Sequence, residues 1–279
     1  MFRGFHTVAS GMIAQQRRTE LLTNNMANAN TPGYKADQSA IRSFPEMFLS
    51  KLGPSNIPTD APINGKYATG VGAVGTGVYM QETIALMQQG QLQETGLNTD
   101  ISLIDGLLPE DAETGQPGAI FYRLQHPVEG EAYTRNGSFT LDAEGFLTNP
   151  QGLYVLDSNG QRIQLQNDDF RVAGDGQIYV EDAAIGQIGV SFSTQPETLI
   201  KQDNGLFKTA DGTNLPSAYD TENVSFSMQQ GYIERSNVDT AKTMTEMLTA
   251  YRAFEANQKV LQAYDQSMQK AVNEVGRVN

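Results

Sequence analysis

The sequence predicts an α+β chain. Two long helices at its ends pair as a coiled-coil domain, and an all-β domain is inserted between them. Three observations lead there. Near both ends apolar residues recur at steps of three and four. The middle is punctuated by Asx–Gly pairs of the kind hairpin turns prefer. Between the first helix and the β region lies a stretch rich in proline, glycine and small polar residues.

The first helix reads from Phe2 to about Ala29. Phe5, Val8, Met12, Gln15, Thr19, Leu22 and Met26 fall along one seam, interrupted by the polar Gln15 and Thr19. Gly11 weakens the helix by roughly 1 kcal/mol. Its end is written in Asn28-Ala29-Asn30-Thr31-Pro32-Gly33. Proline pushes the residue before it out of the helical region, and asparagine tolerates the left-handed conformation that closes helices.

Residues 35–76 read as an extended linker, with a short helix at Ser43–Phe48. Within it Gly70-Val71-Gly72-Ala73-Val74-Gly75 fits the letter of the dinucleotide fingerprint G-x-G-x-x-G. That fingerprint needs a strand before it and a helix after it. Neither is expected here, so the stretch reads as a glycine hinge.

Residues 77–234 read as the all-β domain. Asp105-Gly106, Asn136-Gly137, Asn159-Gly160, Asp175-Gly176, Asn204-Gly205 and Asp211-Gly212 mark turns. Ala132–Arg135, Gly152–Leu156 and Gln177–Val180 fill the gaps as strands.

The last helix reads from about Ser236 to Val275. Its seam is Met244, Met247, Tyr251, Phe254, Gln258, Leu261, Asp265, Met268, Val272 and Val275, a heptad spacing. Glu255 and Lys259 stand four apart in the favourable order, and Asn237 and Asp239 offer capping oxygens. Residues 1–34 and 235–279 together form the expected coiled-coil assembly domain. A helix of about 40 residues is about 60 Å long. It needs partners along its length, and neighbouring subunits would supply them.

Composition narrows the function. The chain of 279 residues carries a net charge of −13. Such a chain repels nucleic-acid phosphates and anionic bilayers. It holds no cysteine and only two histidines, His6 and His126, which leaves no thiol chemistry and little room for a histidine site. No apolar run approaches the roughly 20 residues that span a bilayer. No cleavable secretory segment is visible, so export would use another signal. Asp157-Ser158-Asn159-Gly160 lacks the spacing of a calcium loop and reads as a turn. Asp168-Asp169 and Glu110-Asp111-Ala112-Glu113 read as solvated loops sooner than as paired catalytic carboxylates. No catalytic, cofactor or metal residues are expected.

Three stretches resemble one family. Asn25-Met26-Ala27-Asn28-Ala29-Asn30-Thr31-Pro32-Gly33-Tyr34 is similar to the N-terminal signature of flagellar rod and hook proteins. Tyr133–Phe139 with Asp142–Leu147 resembles that family's β signature. Gln230–Asp239, continued by Glu246-Met247 and Tyr251–Asn257, resembles its C-terminal helix entry. Where the family often has Gly-Asp-Gly-Phe-Phe, this chain has Ile104-Asp105-Gly106-Leu107-Leu108.

The order and size look most like a distal-rod-type protein. The resemblance implies a structural subunit of the basal-body rod and not an enzyme. It implies export through the flagellar type III apparatus and assembly with itself and other axial proteins into a helical tube that transmits torque. Asn25, Ala27, Asn28, Thr31, Gly33 and Tyr34 would be its assembly motif. Met244, Met247, Tyr251, Phe254, Leu261, Met268 and Val272 would form its coiled-coil seam. A hook or hook-junction component is the alternative. A secreted β adhesin and a carboxylate hydrolase stand further off.

Overall fold

A computed structural model describes residues 2–52, 68–112, 115–127, 130–181, 183–202 and 205–275. The chain divides into two compact units. One comprises Met1–Thr23, Ser39–Thr83 and Ala241–Asn279, the other Asn24–Gln38 and Ile84–Thr240.

The second unit is β throughout its long stretch. Its centre is strand Ala119–His126, at 8 residues the longest among the described residues. Gly130–Thr134 pairs along one edge, antiparallel, from His126 back to Tyr122. The other edge is shared. Val190–Ser193 pairs with its first half and Tyr154–Val155 with its second. Thr140–Leu141, Leu147–Thr148, Phe207–Lys208 and Ile200–Lys201 extend this to eight strands. A three-stranded sheet of Arg171–Val172, Gln177–Val180 and Ala183–Gln187 stands apart.

Period-two alternation on the central strand sorts two cores. Ile120, Tyr122 and Leu124 face the larger, with Ile101, Leu103, Phe139, Leu147, Val155, Ile178 and Val190. Ala119 and Phe121 face a smaller one with Tyr133 and Phe207. Tyr122 is fully buried, and its hydroxyl donates to the Ile101 carbonyl at 2.6 Å. The stretches Ala132–Arg135, Gly152–Leu156 and Gln177–Val180 each hold a strand of these sheets.

The first unit holds most of helix α1 (Phe2–Ala27), two hairpins, and helix α2 (Thr240–Lys270) from its second residue on. One hairpin pairs Ile41–Ser43 with Val78–Met80. The other pairs Met47–Leu52 with Ala68–Val74. Part of the expected linker is therefore strand, and no helix forms at 43–48. Phe44 and Tyr79 stack across the first hairpin at 5.1 Å, and β propensity of such aromatic and β-branched residues favours the pairing.

The terminal coiled-coil domain is not what the structure holds. The chain is mainly β, with one long helix near its C-terminus and a shorter one near its N-terminus. Of the expected seam, Met244, Tyr251 and Val272 are more than half exposed. Val272 lies in a single π-helical turn, Ala271–Val275. Met247, Phe254, Leu261 and Met268 are half-buried. The residues that α2 buries are Thr243 and Ala250, each one position before an expected seam residue. One residue turns a helix by about 100°. Thr243 and Ala250 therefore share the inward side with the half-buried Met247, Phe254, Leu261 and Met268, while Met244 and Tyr251 turn outward. α1 and α2 meet at Gly4 beside Tyr264, Gly11 beside Asn257, and Arg18 with Glu246 at 3.5 Å. Small and polar groups make these contacts, Thr23 Oγ1 also lies 3.7 Å from Met247 Sδ, and the expected seam as a whole does not form.

Candidate functional site

The N-terminal stretch, the β stretch and the Gln230–Asp239 part of the third converge inside the second unit. The N-terminal stretch begins in the last turn of α1. Asn28 Nδ2 donates to the Asn24 carbonyl at 3.0 Å and to its Oδ1 at 3.1 Å. Thr31 Oγ1 donates to Asn28 Oδ1 at 3.2 Å. The Asn24 carbonyl also accepts the Asn28 N–H at 3.1 Å, so these side-chain bonds reinforce the last turn of the helix.

Asn25 is buried and holds the chain beyond the turn. Its Nδ2 donates to the Asp37 carbonyl at 2.8 Å, and its Oδ1 accepts the Asp37 N–H at 2.9 Å. The Tyr34 hydroxyl lies 2.9 Å from Asn24 Oδ1 and 3.1 Å from Asn25 Oδ1. Burial, with Asp37 beside it, pushes the Tyr34 phenol well above its ordinary range, so it stays protonated and able to donate. Lys201 Nζ sits 3.8 Å over the Tyr34 ring and donates to Asp37 Oδ1 at 2.9 Å.

Gly33 adopts φ +68°, a left-handed conformation that suits glycine. Its N–H donates to the Glu234 carbonyl at 2.7 Å. A Cβ there would overlap the Asn136 nitrogen and the Arg135 carbonyl. Gly33 is thus the point where the N-terminal signature touches the β signature and the C-terminal one. Gly137 serves a similar purpose, since a Cβ would overlap the Ile101 carbonyl. That close approach, not a left-handed turn, explains the Asn136-Gly137 pair.

Beneath this contact lies a buried ion cluster. Lys35 Nζ donates to Glu234 Oε1 at 2.6 Å and to the Gln88 carbonyl at 2.7 Å. Arg135 Nε reaches Glu234 Oε2 at 3.0 Å, and its Nη1 reaches Asp105 Oδ1 at 2.7 Å. The Gly90 N–H also donates to Glu234 Oε1 at 2.7 Å. The side chains of Lys35, Glu234 and Arg135 are at most 2% exposed. Burial alone would raise the Glu234 carboxyl, but Arg135 and Lys35 outweigh it and hold it below its ordinary value. Burial and the Arg135 charge hold the Lys35 ammonium down at about 8. Asn237 closes the arrangement. Its Oδ1 accepts the Ala36 N–H at 2.7 Å, and its Nδ2 donates to the Leu86 carbonyl at 2.8 Å.

The expected motif residues Asn25, Asn28, Thr31, Gly33 and Tyr34 are brought together here, while Ala27 is exposed. Lys35, Arg135 and Glu234 were not singled out from sequence, while Asn237 was read as a helix cap and Asp105 as part of a turn. The available signal was a charged residue within or beside each signature stretch, where a solvated loop has no need of one.

The other candidates separate. Gly70–Gly75 lies along and just past the hairpin strand Ala68–Val74, with strand and not helix after it. Asp157 Oδ1 accepts the Asn159 and Gln161 N–H groups, which makes it a turn former. Asp168 and Asp169 are exposed. His126 ends the central strand, and His6 is exposed with its ring edge-on to Phe5.

Three family models match in chain order. Residues 5–35 match "Flagella basal body rod protein" and residues 117–180 "Flagellar hook protein FlgE/F/G D1 domain". Residues 229–274 match "Flagellar basal body rod FlgEFG protein C-terminal". The matched segments contain Gly33, Arg135 and Glu234, the residues that meet in the structure. Together they define a structural protein of the bacterial flagellum. The chain is 46% identical to the flagellar hook-basal body complex protein FlhO of Bacillus subtilis, over 100% of both chains. It is 30% identical to the basal-body rod protein FlgG of the same organism, over 98% of this chain and 99% of that one. It is 26% identical to FlgF of Caulobacter vibrioides, over 97% and 96%. The chain belongs to the flagellar rod and hook–basal body family.

Proposed function

We propose that this chain is a distal-rod-type subunit that assembles with itself and with other axial proteins into the helical tube carrying torque to hook and filament. It works by packing and not by catalysis. It leaves the cytoplasm through the flagellar export apparatus.

The observation that carries this reading is the outer face of α2. Met244, Leu248 and Tyr251, spaced by four and three so that they share one side of the helix, are each at least 49% exposed. Apolar residues repeated along a helix mark an interaction surface sooner than a wetted one. The second unit supports it from the other side. Its signature residues are spent on internal bonds, and they set where the chain of each helix leaves the β unit.

The test is deletion of the gene. Loss of swimming, with electron microscopy showing basal bodies that lack hook and filament, supports the rod reading. A complete rod lacking only the hook or its junction moves the subunit to the alternative position. Normally flagellated, swimming cells overturn both.

A further inference from the structure

We propose that Glu234 is the keystone of a latch that makes docking of the N-terminal segment 33–38 and of the C-terminal segment 234–240 onto the β sheet a single event.

The division of its two oxygens carries the argument. Oε1 takes Lys35 Nζ, on the N-terminal segment, together with the Gly90 N–H. Oε2 takes Arg135 Nε and Nη2, at 3.0 and 2.9 Å, from the end of a core strand. One carboxylate thus neutralises two cations that come from different parts of the chain. Lys35 and Glu234 are 199 residues apart, and Arg135 and Glu234 are 99.

Removing either segment leaves the other in an unfavourable place. Without the C-terminal segment, Lys35 and Arg135 face each other as like charges in a dry interior. Burial, and after it the charge of Arg135, already lowers the Lys35 pKa with Glu234 present. Without the N-terminal segment, Arg135 stands against two carboxylates, Glu234 and Asp105, one of which is fully buried. An unpaired buried charge is among the costliest defects a fold can carry. The main chain repeats the coupling, since the Gly33 N–H donates to the Glu234 carbonyl and the Asn237 side chain accepts the Ala36 N–H.

Such coupling is reciprocal, so a disturbance on one segment must be felt on the other. Lys201 supplies a disturbance that touches no atom of Glu234. Its Nζ donates to the Lys35 carbonyl at 2.8 Å and to Asp37 Oδ1. Hydrogen exchange of the full chain is read at 33–38, at 235–240, and at the core strand Ala119–His126 as a control for folding. In Lys201→Met, exchange should rise about tenfold at both segments, by the same factor, with the core strand still far slower than either, and in Lys35→Met it should rise further at both. In a Glu234→Gln background, Lys201→Met should raise exchange more at 33–38 than at 235–240, because only the Gly33 and Asn237 bonds still join the two. If Lys35→Met or Glu234→Gln loses core protection, Lys201→Met in the native chain still decides. A rise at 33–38 without a matching rise at 235–240, or no rise in any of these variants, overturns the latch.

Discussion

Lys35 and Glu234 meet at 2.6 Å with both side chains 1% exposed, although 199 residues separate them in the chain. Neither residue can be buried well without the other. A desolvated charge is stable only when it is paired and its remaining hydrogen-bonding groups are met. Here the Gln88 carbonyl and the Gly90 N–H complete what the pair leaves open.

Lys35→Met should cost the full chain about 3–5 kcal/mol, the range for breaking a buried ion pair by removing one partner. Urea unfolding of both proteins measures it. A loss under about 1 kcal/mol would place the pair with exposed ones such as Arg18–Glu246.

Acid should weaken the fold through Glu234. Its folded pKa lies below the ordinary 4.5. As pH falls, the unfolded chain therefore takes up this proton first. Its stabilising contribution is complete above about pH 4.5 and is lost as pH falls through the folded value. Glu234→Gln should remove that part of the slope, so the gap in urea midpoint between native and variant narrows from pH 7 toward pH 3. Lys35 has the opposite sign of dependence. Its folded pKa of about 8 lies below the ordinary 10.5, so the unfolded chain holds the extra proton between them. Over that window this group's contribution to stability rises with pH. The Lys35 ammonium should titrate near pH 8 by NMR.

Gly33→Ala should be worse than Gly160→Ala. Both glycines are left-handed, at φ +68° and +78°. Either alanine carries the conformational cost of roughly 1–2 kcal/mol. A Cβ at Gly160 meets nothing, while one at Gly33 overlaps backbone atoms of Arg135 and Asn136. The difference in melting temperature isolates the packing part. Equal losses would show that the contact can relax without cost.

Tyr251→Asp and Met244→Asp should leave the chain as stable as before, within about 0.5 kcal/mol, because both residues are more than half exposed. Swimming of cells carrying either variant should be lost, because the proposed subunit contact is. Soft-agar motility with thermal unfolding of the purified chains separates the two effects. Normal motility would remove this face of α2 from the interface.

Much of the local structure could be read from the chain. Asn28, Pro32 and Gly33 placed the end of α1 correctly within two residues, because helix termination is decided by neighbours in sequence. The strand at Gln177–Val180 was equally readable, because alternation and a flanking Asp-Gly turn are local signals. The inward face of α2 was not. Large apolar residues at heptad spacing predicted a seam, yet small residues one step earlier are buried. The hairpin strand Met47–Leu52 was missed for a related reason. Its stability comes from a partner some 20 residues on, and a proline beside it disguised the pattern.

By itself, then, the sequence determined the family, the positions of its signature stretches and the helix that ends in the first of them. Each of these depends on residues within a few positions of one another. Only the tertiary structure decided which residues of α2 face inward and that Lys35, Arg135 and Glu234 share one buried site. Burial and charge pairing depend on what the fold brings across from distant parts of the chain, and no spacing along the chain encodes that.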